Sequence, residues 1–370
     1  SNRFGTGLSG GVNAVFGDLL NDRQLGTSLS MAGEITDIAG QVAYLNKRRW
    51  VNWGVSLTHT PFRSGRVGAA MDVVEVEGRQ VPALRRDVDV QRTFEQQLNF
   101  FSYLPLSRTR RVELSLGASR LSFVTNRTSE FFVRGMFVGS EQSRFTSPAL
   151  FSGVAGAAYV GDNTTPGPVA PLKGHRYRAG LDASFGPVQM HTFLVDYRRY
   201  VRLKPFTVAF RGMHTGRYGR DASSGLLPPL FVGFPTLVRG YAAPSYLRNP
   251  YRGEGDVSLN QLQGSQMAVA NAEIRLPLTG HPRLALFRSG LFPTELALFT
   301  DAGAAWGRAF PNPVGRPDLP APNPVPVLSS GASLRINLAG IAVLEPFYAL
   351  PWQRGGDRRG VFGLNVAAGW

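Results

Sequence analysis

The last ten residues, "VFGLNVAAGW" (361–370), decide the fold. Phe362, Leu364, Val366, Ala368 and Trp370 fall on one face, and Gly363, Asn365, Ala367 and Gly369 on the other. That period of two is strand alternation, not the 3.6-residue period of a helix. It recurs upstream. "GASLRINL" (331–338) sets Ala332, Leu334, Ile336 and Leu338 against Gly331, Ser333, Arg335 and Asn337. "NAEIRLPL" (271–278) sets Ala272, Ile274 and Leu276 against Asn271, Glu273 and Arg275.

Such a sheet is either a soluble sandwich or a membrane barrel, in which apolar side chains face lipid and small or polar ones face the lumen. The polar faces favour the barrel. They carry Gly, Ser, Asn and ion-pairable Glu, Arg and Asp, where a solvated sheet face would be richer in Lys and Thr. The apolar strips end in aromatics (Tyr177, Phe185, Trp306, Trp370), as interfacial girdles do. The expected fold is therefore all-β: a 16-stranded antiparallel transmembrane β-barrel filling residues 1–370 as a single domain. Turn signals place the strands near 4–17, 24–36, 38–47, 50–60, 66–78, 92–104, 109–124, 147–161, 174–186, 188–200, 206–214, 266–278, 294–306, 329–339, 341–350 and 361–370. Both ends would then lie on the periplasmic side. The longer connections, around 126–145, 215–265, 307–328 and 351–360, would face outward.

Composition excludes several other classes. Mean hydropathy is −0.09, and no stretch approaches the roughly 18 apolar residues of a membrane-crossing helix. The start, "SNRFGTGLSGG", lacks the basic-then-apolar pattern of a signal peptide, as expected of a mature or excised chain. Absence of cysteine fits an oxidising compartment. The net charge of +15 comes almost entirely from scattered arginines and not from a basic helix, which argues against a nucleic-acid partner. His59, His175, His191, His214 and His281 have no metal-ligand spacing, and no Ser–His pairing stands out. Neither an enzyme, a metal nor a cofactor is expected.

One loop stretch, "FPTLVRGYAAPSY" (234–246), wraps Arg239 in Leu237, Val238 and Tyr241. A desolvated guanidinium requires carboxylate partners, best met bidentately. In "LALFTDAGAAWG" (296–307), Leu296 and Leu298 face lipid, which turns Phe299, Asp301 and Gly303 toward the lumen. Gly303 leaves room beside Asp301 for a loop backbone. Glu273, Arg275, Arg335 and Glu345 project into the same space.

"LVRGY" (237–241) resembles the Val-Arg-Gly-Tyr/Phe signature of the BamA/TamA/FhaC superfamily, the bacterial surface-antigen barrels. It is followed in order by "NAEIRLPL", "LALFTDAGAAWG", "SSGASLRINL" (329–338) and an aromatic-ended strand, resembling the family's later strands. Upstream, "PLKGHRYRAGLD" (171–182) resembles the turn that opens its ninth strand. The resemblance implies a long outer loop folded into the lumen, carrying Arg239, Gly240 and Tyr241, with Arg239 paired to Asp301. Glu345 stands where the family often has an aspartate. A weak lateral seam between first and last strands is implied too. Gly5, Gly7, Gly10 and Gly11 would lie on one side of it and Gly363, Gly369 and Trp370 on the other. Glycine loosens strand pairing, although these glycines could equally relieve crowding in a curved wall.

The function implied is assembly or translocation of proteins into or across the bacterial outer membrane, with a client strand pairing at the seam. The other reading is a structural anchor or subunit holding a periplasmic domain or partner complex, without transport activity. No POTRA or other periplasmic domain is expected within 1–370. Partners implied are outer-membrane lipid and client or partner proteins. Lys47, Arg48, Arg49, Arg85, Arg86, Arg127, Arg217, Arg220, Arg354, Arg358 and Arg359 fall in expected outer loops, where they suit lipopolysaccharide phosphates. Solubilising loops in an Arg-biased chain would look the same.

Overall fold

Alternation in the sequence becomes pairing in the structure. In a computed structural model, residues 8–33, 38–76, 78–224, 226–242, 257–289, 291–307, 324–354 and 360–368 are described. The strands are β1 (Leu8–Gly17), β2 (Arg23–Gly33), β3 (Ile38–Asn46), β4 (Asn52–Val76), β5 (Arg79–Ser107), β6 (Arg110–Val133), β7 (Met136–Asp162), β8 (Gly174–Phe185), β9 (Met190–Leu203) and β10 (Phe206–Tyr218). A long connection follows, containing the short strands β11 (Leu230–Phe231) and β12 (Gln263–Gly264). Then come β13 (Gln266–Gly280), β14 (Phe287–Arg288), β15 (Thr294–Trp306), β16 (Val327–Leu338), β17 (Ala342–Pro351) and β18 (Val361–Ala368). One 16-stranded sheet runs β1 through β10, then β13, β15, β16, β17 and β18, with β14 attached to the end of β13. Every pairing along that path is antiparallel. No ladder joins β1 to β18 among the described residues.

The two faces differ as a barrel wall requires. Leu57, Leu116, Leu298 and Leu364 stand 57%, 60%, 57% and 57% exposed on one face, while Ser56, Ala297, Asp301 and Phe347 are buried on the other. No helix among the described residues is long and apolar enough to cross a membrane; the apolar outward faces of the strands do that work.

The strand boundaries depart from expectation in one region. The segments expected as strands 50–60 and 66–78 are one strand, β4, whose register runs unbroken from Asn52↔Tyr103 to Val76↔Arg79. The expected loop at 126–145 is likewise strand, the upper parts of β6 and β7. Strands β4 to β7 have 25, 29, 24 and 27 residues, whereas a tilted strand needs only about 9–11 to cross the hydrocarbon. Two hairpins therefore rise well beyond the membrane. The second closes on Arg134 (φ 48°) and Gly135 (φ 83°), the paired left-handed conformation of a tight two-residue turn. Outside the lipid both faces of a strand may be polar, so "NRTSE" (126–130) loses the apolar alternation that marks a membrane strand.

Merging two expected strands also reverses the direction of everything before them. Antiparallel order puts Leu8 at the same end of the sheet as the 219–265 connection and Ala368 at the opposite end, so the two ends do not share a side as expected. For the same reason the turn bearing Lys47, Arg48 and Arg49 lies away from the long connections, not among the outer loops. The end with the 219–265, 307–326 and 352–360 connections and the tall hairpins is the outward one, because outer-membrane barrels pair short periplasmic turns with longer external loops.

Candidate functional site

The site forms where the connection after β10 returns to the inner face of β13, β15, β16 and β17. Alternation on β15 buries Ala297, Phe299, Asp301 and Gly303 on that face and leaves Leu296 and Leu298 outward. A Cβ on Gly303 would stand 2.5 Å from Val232 Cγ2 and 2.8 Å from Val238 Cγ2. The missing side chain is thus the gap that the connection fills. Val232, Val238, Tyr241, Val257 and Leu262 pack with Met213, Met267, Val269, Ala305 and Val327 into one buried cluster.

Arg239 is 4% exposed and Asp301 fully buried. Arg239 Nε donates to Asp301 Oδ2 at 2.8 Å and Nη2 to Asp301 Oδ1 at 2.8 Å, a bidentate pair, while the Arg239 backbone N–H reaches Oδ2 at 3.1 Å. Nη2 also donates to Glu273 Oε1 at 2.8 Å and Nη1 to Glu345 Oε1 at 3.1 Å. The guanidinium lies 3.5 Å from the Phe299 ring centroid, over its face. Burial opposes its charge, but the Asp301 bonds and the Glu273 and Glu345 carboxylates outweigh it and hold its pKa above the ordinary arginine value.

A second layer joins the strands themselves. Arg335 donates to Glu273 Oε1 at 2.8 Å and to Glu345 Oε1 at 3.1 Å. Arg275 donates to Glu273 Oε2 at 2.7 Å. Glu295, 1% exposed, stands 3.5 Å from Arg335 and 3.9 Å from Arg275. Three guanidinium groups thus face four carboxylates, and each guanidinium has more than one carboxylate partner. No group of His, Asp or Glu among the described residues could hold a metal ion. What the arrangement can do is fasten a connection to a wall.

Gly240 and Tyr241 continue the fastening. Gly240 takes φ 94°, and a Cβ there would lie 3.3 Å from Ala349. The Tyr241 hydroxyl stands 2.7 Å from the Leu328 carbonyl and 2.6 Å from Gln353 Oε1, and accepts the Gln353 N–H at 3.2 Å. Tyr241→Phe is expected to cost about 1–2 kcal/mol, since it removes the acceptor of the half-buried Gln353 N–H and the donor to the Leu328 carbonyl. Urea unfolding in lipid vesicles measures it.

Several participants were not singled out from sequence. Asn271 Nδ2 donates to the Leu237 carbonyl at 2.7 Å and to Asp301 Oδ1 at 2.8 Å. Ser333 donates to Glu345 Oε1 at 2.8 Å. Asn365 reaches both the Pro235 carbonyl and Glu345 Oε2 at 3.3 Å. Asn271, Glu295 and Ser333 share the inward parity of Glu273, Asp301 and Arg335, so the alternation itself carried the signal.

The seam residues are not gathered in this way. Gly5, Gly7, Gly369 and Trp370 lie outside the described residues. Gly10 and Gly11 pair with Met31 and Ser30 of β2. Gly363 pairs with Phe347 of β17, whose ring occupies the space a Cβ would take.

The family model of the Omp85 superfamily domain matches residues 2–369. Among solved structures, the fold is similar to that of BamA from Haemophilus ducreyi lacking POTRA domains 1–3, at 14% identity and TM-score 0.56, covering 99% of this chain and 68% of that one. It is also similar to CdiB from Acinetobacter baumannii (14%, TM-score 0.51, 100% and 58%) and to CdiB from Escherichia coli (10%, TM-score 0.53, 98% and 59%). The chain thus spans between 58% and 68% of the length of these structures. At such identities the likeness is one of fold. No curated protein matches the chain in a sequence search.

Proposed function

Because the chain belongs to the Omp85 superfamily of outer-membrane β-barrels, we propose that it assembles proteins into, or moves them across, the bacterial outer membrane. The observation that supports this reading is the connection fastened on the inner face by Arg239, since a lumen occupied in this way is not an open pore. With the lumen filled, a client's way into the membrane is sideways, at the edges of β1 and β18. A free edge presents unpaired N–H and C=O groups on which a client strand can template. We read the whole of 1–370 as one barrel domain with clients or partner proteins in the outer membrane and periplasm.

The test uses the full native protein in proteoliposomes, with an unfolded outer-membrane barrel as client. Assembly activity predicts that the client folds at least tenfold faster than in empty liposomes. Because the chain has no cysteine, introduced pairs joining β1 to Asn365→Cys on β18 can be cross-linked cleanly, and the cross-link should abolish the acceleration. Client folding at the empty-liposome rate, with no client crossing the membrane, would replace this reading with that of an anchor for a partner complex.

A further inference from the structure

The outward surface of β4 to β7 changes character along one cross-strand row. Leu57, Leu98 and Ala118 are partners across β4, β5 and β6, with Leu57 and Leu98 57% and 54% exposed, as lipid-facing residues are. The next outward row is His59, Gln96, Arg120 and Phe151. Arg120 donates to Gln96 Oε1 at 2.7 Å and lies 5.7 Å from the Phe151 ring centroid. Phe94 stacks on His59 at 5.8 Å, so aromatic rings mark the boundary as they do at a membrane interface. Four residues farther along the strands, Arg63 and Arg92 are direct cross-strand partners, and Arg144 follows one row beyond on β7.

Between the His59 row and the Val67–Val88–Thr128–Gln142 row, no outward position of these four strands is Asp or Glu. Farther up the hairpins the outward face carries Glu130, 3.7 Å from Arg86, while at and above this level the inward face carries Asp72 and Asp87, which take Arg85, and Asp89, which takes Arg127. At the level where lipid ends, the outward positions thus carry arginines and no carboxylate.

We propose that Arg63, Arg92, Arg120 and Arg144, with His59, bind the phosphorylated headgroups of outer-leaflet glycolipid, of the lipopolysaccharide kind. Guanidinium binds phosphate bidentately, and Arg120 keeps donors beyond the one given to Gln96. The Arg120 and Arg63–Arg92 levels are about 13 Å apart along the strands, a spacing for a headgroup with more than one phosphate. This site rests on the outer-membrane placement and on the outward end of the sheet, not on the transport reading. It also relocates the phosphate contact expected from sequence. Lys47, Arg48 and Arg49 lie at the other end, and Arg85 and Arg127 are held by carboxylates.

The test is native mass spectrometry of the full chain released from phosphatidylcholine nanodiscs that contain diphosphoryl lipid A, or the same lipid A with its phosphates removed. The wild type should retain the diphosphoryl form at least tenfold better. The combined variant Arg63→Gln, Arg92→Gln, Arg120→Gln should lose at least tenfold of that retention, and the corresponding lysine variant should keep most of it. Arg108→Gln with Arg283→Gln, at the opposite end, should change nothing. Should the triple variant fail to insert, Arg63→Gln alone should lose three- to fivefold. Equal retention in the glutamine variants, equal retention of dephosphorylated lipid, or an equal loss in the opposite-end control would each overturn the assignment.

Discussion

Arg239→Ala lowers the unfolding free energy by about 3–5 kcal/mol, the cost of breaking a buried ion pair by removing one partner. The size follows from what stays behind. Asp301 is fully buried and loses two of the four donors that reach it, keeping Asn271 and the backbone N–H of residue 239. Glu273 and Glu345 keep Arg335, and Glu273 also keeps Arg275, so the strand layer survives while the connection loses its anchor. The backbone N–H of residue 239 still reaches Asp301 in the variant, which sets the lower end of the range. Urea unfolding in lipid vesicles, followed by tryptophan fluorescence, measures the loss. A change below about 1 kcal/mol would match an exposed ion pair and contradict the geometry. Arg239→Lys should recover only a fraction, because an ammonium cannot span both oxygens of Asp301 in the plane that guanidinium does.

Gly303→Ala tests the same docking from the opposite wall. The added methyl would meet Val232 and Val238 at 2.5 and 2.8 Å, and both valines are completely buried. Neither side chain has open space to move into, so overpacking of about 1–3 kcal/mol is expected. The connection should lift from the wall before the sheet itself opens, because the strand pairing on both sides of Gly303 does not involve the valines. Trypsin then cleaves after Arg239 in the variant and not in the wild type. A Gly303→Ala protein with unchanged stability and a protected Arg239 would mean that the connection does not press on β15.

Much of this was legible in the sequence because a barrel wall writes itself with a period of two. The faces of β13, β15, β16 and β18 follow from single alternating runs, and the same parity places Glu273, Asp301 and Arg335 together. The lengths of β4 to β7 were not legible. Beyond the lipid, the solvent no longer demands an apolar face, so "PFRSG" (61–65) reads as a turn although its residues pair without interruption. That misreading then reversed the assigned direction of every earlier strand and misplaced Lys47, Arg48 and Arg49. Gln353 had no local signal either, since its partner Tyr241 lies 112 residues away. The aromatic partner of Gly363 was similarly hidden: Phe347 meets it only through the register of β17 with β18.

The central claim is that Arg239 holds the connection on the inner face through Asp301, and a double-mutant cycle on that pair tests it most directly. Stabilities of wild type, Arg239→Ala, Asp301→Ala and the double variant are measured by urea unfolding in the same vesicles. Direct contact predicts a coupling energy of about 2–3 kcal/mol, at the upper end for residues that share a buried network. Additivity within about 0.5 kcal/mol, the behaviour of independent sites, would mean that the two residues do not meet in the membrane and that the docked connection is wrong.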